Sequence, residues 1–445
     1  MFLVSYSPLW LPSKLRDMTS SSQSPASSGD SALIPGIDSA STLTKDDAPA
    51  RTTPGLRPAD LVKAAESYLP NMLTDLERVI TCETPSSDKE AVRTGAEDFA
   101  RLLEERLGEK PEIIVNDDTS HIRLRFGSGA PRVVLINHQD TVWPHGTLKR
   151  LPFSTDDGIL RGPGSFDMLT GAVMSVYACR LLLDAAGNDA NPHTVLGGLS
   201  MLITGDEEIG STTSSDLIRA EAAKAQAVFV MEASAGGALK VARKGTSDYR
   251  VQVTGKASHA GLEPEKGINA GLELAHQMTV IAGLSDPDLG TTVTPTMFGG
   301  GTTANTVPAE AHCAVDVRCP SAEEAQRVDA AMHNLTPVIA GARIEVTGGI
   351  NRPPMERSAA ERLFARAQAV AESIGIEPLK GVEVGGASDG NFTAGDGIPT
   401  LDGLGAVGDG AHADHEHALI EFIPPRTALL AGLIADHLGA GGDTN

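Results

Sequence analysis

The sequence predicts an α/β protein: a mostly parallel sheet with helices on both faces, interrupted by a smaller inserted βαββαβ domain. Three observations predict it. Short apolar runs alternate with amphipathic stretches across residues 56–246. The rhythm changes to half-exposed strands across residues 247–352. The first rhythm resumes over residues 353–445. Strands alternating with helices are the pattern of a parallel sheet covered on both sides.

The elements justify this in order. Residues 1–55, with "TSSSQSPASSGDSALIPGIDSAST", are Ser/Pro/Gly-rich and aperiodic, and read as disordered. "PADLVKAAESYLPNMLTDLERVI" has helical spacing, and "TPSSDKEAVRTGAEDFARLLEERLG" opens with cap residues before an amphipathic run. "RVVLIN" (132–137), "LSMLIT" (199–204) and "AVFVM" (227–231) are short apolar runs read as buried strands. "LTGAVMSVYACRLLLDAAG" is a helix between the first two. Then come "DYRVQVTG" as a strand, "INAGLELAHQMTVIAGL" as a helix, and "TVTPTMF" and "AEAHCAVDVR" as strands. "SAEEAQRVDAAMHNL" is a helix capped by Ser321, and "ARIEVTG" is a last strand. That order is the split βαβ of a ferredoxin-like domain. "AERLFARAQAVAESIG" is again helical, and a segment near 398–404 rejoins the first sheet.

Bulk properties exclude several functions. The chain has 445 residues, 41% of them hydrophobic, enough for two domains. A formal net charge of -22 disfavours nucleic acid and anionic membrane as partners. No run of the ~20 apolar residues needed for a membrane span is evident. Cys82, Cys179, Cys313 and Cys319 form no CxxC pair, so neither a zinc finger nor a disulfide framework is expected. The start "MFLVSYSPLWLPSKLRDM" lacks a basic leader and is broken by Pro8 and Pro12. A cytoplasmic location is expected, with Met18 a second candidate start.

The three apolar runs each end in polar residues. "RVVLIN" meets His138-Gln139-Asp140, "LSMLIT" meets Asp206-Glu207-Glu208, and "AVFVM" meets Glu232. In an open α/β sheet the carboxyl ends of the strands form the ligand crevice. Asp167 lies in "GPGSFDMLTG" between a glycine turn and a helix start, and His412 lies in "GDGAHADHEH". Each alone has a bland reading: an accidental HxD, a solvated helix start, an exposed strand end. Together they converge as a metal site. Imidazole and carboxylate without thiolate suit Zn²⁺, with Co²⁺ or Mn²⁺ as substitutes. Two ions would neutralise the crowded acids. Adjacent glutamates on extended backbone cannot point the same way, so Glu207 and Glu208 divide their roles.

"NHQDTVWPHGTL", "RGPGSFDMLTG", "ITGDEEIGS", "VMEAS", "GKASHAG" and "GDGAHADHE" resemble the motif series of the co-catalytic zinc metallopeptidases. That family spans glutamate carboxypeptidase, acetylornithine deacetylase and succinyl-diaminopimelate desuccinylase. "DTVWP.GTL" with "GPG..DM" looks most like the glutamate carboxypeptidase branch. The resemblance implies a zinc-peptidase-like catalytic domain with an inserted lid and dimerisation domain, and a homodimer through that lid. It implies that His138 and Glu232 hold one Zn²⁺, Glu208 and His412 the other, and Asp167 bridges both. Asp140 would orient His138, Glu207 would be the general base, and His259 would stabilise the oxyanion from the partner subunit. His415 is the rival to His412, which is preferred because Glu416 follows it by four residues as in relatives.

An acidic protein that binds a carboxylate needs local cations. Arg318 and Asn305 match substrate contacts of the family; Arg352 and Lys240 match in a looser context. "GGASDGNF" (385–392) is glycine-rich enough to wall the substrate. The leading expectation is a metal-dependent carboxypeptidase or amidohydrolase that releases a C-terminal glutamate-like residue from an acyl or peptidyl group. The alternatives are an N-acyl-amino-acid deacylase and, from another class, a non-catalytic binding protein on a hydrolase scaffold.

Overall fold

A computed structural model describes residues 57–187 and 189–439. The disorder expected for residues 1–55 therefore lies outside the described residues.

The larger sheet has six strands. In spatial order they are Glu112–Asn116, Thr119–Arg125, Leu199–Thr204, Val133–His138, Ala227–Val230 and Thr400–Leu401. The last four run parallel, and the strand near residue 400 does rejoin this sheet beside Ala227–Val230. The first two form an antiparallel hairpin on the edge, which the sequence reading did not foresee. A signal for it exists. Asp117 and Asp118 form a two-residue turn with φ of 48° and 63°, the left-handed pair that favours Asp and Asn in tight hairpins.

Why three apolar runs became central strands is visible in their two faces. Val133 and Leu135 pack with the helices Leu61–Thr81, Thr170–Ala186 and Ile423–Gly439. Val134 and Ile136 face the other side, against Ile218 and Ala222 of the helix Ser215–Ala222 and against Phe392. Both faces are apolar, so the runs cannot alternate in polarity. Among the described residues one helical stretch, Ser165–Ala186, is long and apolar enough to cross a membrane, and it is 89% buried inside the protein. It corrects the expectation that no such run exists, and it sits as a core helix.

The smaller sheet has four antiparallel strands in the order Arg343–Arg352, Gly245–Thr254, Glu310–Cys319, Thr292–Gly300. The helices Ala270–Ala282 and Ala322–His333 cover it, giving the βαββαβ order. Its core is separate and includes Tyr249, Val251, Val253, Leu274, Val315, Val317 and Val328. The chain enters this sheet through Lys244 and leaves through Pro353. The two connections run side by side: Arg243 and Met355 exchange backbone hydrogen bonds of 2.9 and 3.0 Å.

Candidate active site

The carboxyl ends of the parallel strands converge on one acidic crevice. His138 ends its strand, while Glu232 and Glu208 lie in the turns just beyond the strands that end at Val230 and Thr204. Asp167 arrives from the turn before the helix Thr170–Ala186. That helix can press close because residue 171 is glycine: a Cβ there would stand 2.0 Å from the Met231 carbonyl. The close approach brings Asp167 beside Glu232.

The donor spacing is informative. His138 Nε2 lies 3.5 Å from Asp167 Oδ1 and 3.6 Å from Glu232 Oε1. His412 Nε2 lies 3.5 Å from Asp167 Oδ2 and 3.1 Å from Glu208 Oε2. Two donors on one tetrahedral Zn²⁺ at its usual bond lengths stand about 3.3 Å apart. The observed gaps match that spacing, and the three of 3.5 Å or more are long for hydrogen bonds. His138 Nε2 and Glu208 Oε1 are moreover buried without a hydrogen-bond partner. Buried polar atoms without a protein partner fit a site built to hold an ion between them. Among the described residues two groups could hold an ion: His138 with Asp167 and Glu208, and His138 with Glu207 and Glu232. His412 also has φ of 62°, a left-handed conformation that costs a non-glycine residue roughly 1–2 kcal/mol. Strain of this kind is retained where a side chain must be aimed.

The electrostatics ask for cations. Burial pushes Glu207 well above the carboxylate range, against the pull of Arg352 and His138. Burial likewise raises Glu208. Asp167 and Glu208 push His412 up to about 10, so a proton takes the place of positive charge at these acids. Burial would lower His138, but Asp140, Asp167 and Glu232 outweigh it and raise it well above its ordinary value.

Asp140 orients the site differently from expectation. His138 Nδ1 is 2.9 Å from the Asp140 backbone carbonyl, while the carboxylate stands off at 3.6 Å. That carboxylate instead accepts from the backbone N–H of Glu207 and of Glu208, each at 3.2 Å, and from Ser86 Oγ at 2.7 Å. Asp140 thus fixes the turn that splits the two glutamates. Asp206, the first of the three acids, faces away and accepts from Thr213 and Ser214.

Several holding residues escaped the sequence reading. Glu416, noticed there only as a spacing marker, is fully buried and accepts from Trp143 Nε1 (2.7 Å) and from the N–H groups of Gly164, Phe166 and Asp167 (3.0, 2.9 and 3.1 Å). It ties the His412 loop to the Asp167 turn. Arg243 pairs with Asp402 through two bonds of 2.7 and 3.0 Å and lies 3.5 Å from Glu232 Oε2. Asp389 accepts from Ser211 and Thr204 and meets Arg352 at 3.3 Å. Their partners lie up to 273 residues away in sequence, so no local pattern marks them.

The crevice opens into a cavity of ≈ 660 Å³, lined by the acids and by Lys240, Arg243, Arg318 and Arg352. Gly386 and Ala387 supply part of its wall, where "GGASDGNF" was expected to stand. Arg318 pairs with Asp316 at 2.7 Å. Asn305 and His259 are not among the lining residues. They sit together on the smaller sheet's loops, exposed, where Ala260 N–H donates to the Asn305 carbonyl at 2.8 Å. His259 Nδ1 accepts from the N–H groups of Gly261 and Leu262, both at 3.1 Å. His412 reaches Asp167 and Glu208; among the described residues His415 pairs with neither.

Residues 134–436, which carry the histidines and acids of the crevice, match the model of peptidase family M20/M25/M40. The chain belongs to that family. Its peptidases are metal-dependent hydrolases, and this M20 chain is a hydrolase of that class. It is 30% identical over 400 residues to carboxypeptidase G2 of Pseudomonas sp. (strain RS-16), covering 86% of this chain and 92% of that protein. Among solved structures, aminopeptidase PepT of Bacillus cereus superposes with a TM-score of 0.60 at 21% identity, covering 84% of this chain and 99% of that one. The YXEP protein of Bacillus subtilis, described as a dinuclear metal-binding peptidase of the M20 family, superposes at 0.58 with 17% identity, covering 84% and 98%. At these identities the M20 structures share the fold.

Proposed function

We propose that this M20 hydrolase is a dizinc carboxypeptidase that releases a C-terminal glutamate-like residue from an acyl or peptidyl group. The observation that carries the reading is Asp167, with one carboxylate oxygen 3.5 Å from each of two histidines. In this reading His138 and Glu232 would hold one ion and Glu208 and His412 the second, with Asp167 available to both. Bound there, Zn²⁺ supplies polarisation of the scissile carbonyl and a lowered pKa for the attacking water.

The protein's own groups do the rest. Glu207, 9% exposed, is held at the cavity wall next to the ligand Glu208. It accepts the proton of the attacking water and delivers it to the leaving nitrogen. Lys240 and Arg318 face the same cavity and receive the carboxylates of the departing residue. Burial, then Arg243, lowers the Lys240 pKa, and a substrate carboxylate beside it would favour the ammonium form. These cations matter in a chain of net charge -22, whose long-range field repels a dianion. The similarity to carboxypeptidase G2 supports the carboxypeptidase branch.

The deciding experiment is a substrate panel: N-acyl-glutamates, a folate-type substrate, N-acetyl-ornithine and dipeptides. The glutamate substrates are expected to give the highest kcat/KM, with activity lost on chelation and restored by Zn²⁺. Preference for N-acetyl-ornithine would transfer the protein to the deacylases. Persistent inactivity with Zn²⁺ across the panel would favour a binding protein.

His259 and Asn305 stand exposed on the smaller sheet, away from this chain's own cavity lining. In our reading they serve the crevice of a second subunit, and the enzyme is a homodimer through this domain. Mixed dimers of His259→Ala and Glu207→Gln chains should then recover up to about a quarter of native activity, the share of statistically reassorted sites that keep both groups. An active monomer, or mixtures no better than the inactive parents, would reject the shared site.

A further inference from the structure

Arg243 ends the strand Leu239–Arg243, which pairs with Gly381–Val384. It takes an inward position there, in line with Leu239 and Val241, and is 4% exposed. An arginine is almost never buried this deeply unless it is paired. Its partner is Asp402, fully buried just beyond the strand Thr400–Leu401. Nε and Nη2 donate to the two oxygens of Asp402 at 2.7 and 3.0 Å, the forked geometry that suits a guanidinium to a carboxylate. Ser388 Oγ donates to the same carboxylate at 2.6 Å. Arg243 Nη1 donates to the carbonyls of Gly386 and Ala387 at 3.0 and 3.3 Å.

The same guanidinium reaches one of the acids of the crevice. Its Nη2 stands 3.5 Å from Glu232 Oε2. The other oxygen, Oε1, is the one 3.6 Å from His138 Nε2. Among the described residues these are the two ion pairs of the Glu232 carboxylate. One oxygen is turned toward the histidine, the other toward Arg243. A bare guanidinium at this distance in a buried site would compete with a dication for the charge of Glu232. Asp402 makes the guanidinium part of a neutral pair, so Glu232 keeps its charge while its outer oxygen keeps a fixed neighbour.

We propose that Arg243 is a positioning residue that acts through Glu232. It holds the outer carboxylate oxygen, and Asp402 cancels its charge, so that the inner oxygen stays aimed and available for an ion. This rests on Glu232 as a metal ligand and is independent of which substrate is cleaved. Partners of a metal ligand typically contribute about 10–100-fold to metal affinity.

The test is a titration of the Zn²⁺-loaded full chain with a chromophoric chelator, without substrate. The ion released in Glu232→Ala serves as the reference. Asp402→Asn leaves the guanidinium uncompensated and should weaken that ion about 10–100-fold, with the other within about threefold. Arg243→Met should weaken the same ion, and Arg243→Lys, which keeps the charge but not the fork, should recover part of the loss. Adding Arg243→Met to Asp402→Asn should bring the affinity to that of Arg243→Met alone, because the bare charge is gone. Losses that multiply in the double variant would mark two independent structural effects and overturn the proposal. So would Zn²⁺ affinities within about threefold of native in both single variants, or a raised KM with both ions kept. If Arg243→Met does not fold, Asp402→Asn carries the test, and native affinity for both ions there overturns the proposal. A Glu232→Ala chain that keeps both ions would remove the ligand and this proposal together. Failure of every substrate in the panel would overturn the carboxypeptidase reading and leave these titrations standing.

Discussion

Glu207→Gln is expected to lower kcat by about 10²–10⁴-fold, the range ascribed to a positioned general base, while bound metal and melting temperature stay near native. The amide has the shape of the carboxylate. Its oxygen can still accept from Arg352 Nη2, which now donates to Glu207 Oε1 at 2.9 Å. The backbone N–H of residue 207 still meets Asp140 at 3.2 Å, so the turn that separates the two glutamates is kept. What the amide cannot do is take a proton. Burial argues the same way: desolvation disfavours the charged form of Glu207, so a neutral amide there does not threaten the fold. The measurement is kcat on the best panel substrate, with metal by elemental analysis and melting by calorimetry. Turnover within about tenfold of native would transfer the proton role to another group.

Asp167→Asn should instead empty the site. The carboxylate presents one oxygen to each histidine, and a neutral amide supplies one weak donor-acceptor pair in place of a shared anion. Metal retention through dialysis should weaken by more than about 100-fold, beyond the loss caused by removing an outer hydrogen-bond partner of a ligand. Activity should fall with it. The turn itself should persist, because Glu416 holds residue 167 by its backbone N–H at 3.1 Å and the charge of the side chain is not part of that bond. Full occupancy in Asp167→Asn would show that the two histidines do not share an ion-bridging carboxylate. The contrast with Glu207→Gln is the useful feature: one acid is expected to keep metal and lose chemistry, the other to lose both.

Much of the site was legible because its residues end strands. A buried strand is a run that local hydrophobicity can reveal, and the residues after it face the crevice by geometry. His138, Glu208 and Glu232 were found in that way. The hairpin at residues 112–125 was missed because its first strand is half exposed and its runs are broken by charge. Asp140 was placed near His138 correctly in space, but its carboxylate serves the two glutamate amides, a choice set by the backbone path after residue 204.

What the sequence by itself determined is the catalogue of groups: strands whose apolar runs end in acids and histidines, a βαββαβ insertion, and enough negative charge to require buried cations near an anionic substrate. Those properties depend on neighbours within about ten residues, where periodicity and composition speak directly. Only the tertiary structure decided which side chain holds which. Glu416 reaches Gly164 across 252 positions, Arg243 reaches Asp402 across 159, and Arg352 reaches Glu207 across 145. A buried ion pair is stable only when desolvation of both charges is offset by close geometry. That geometry comes from how the two sheets pack and join, and no local stretch of the chain contains it.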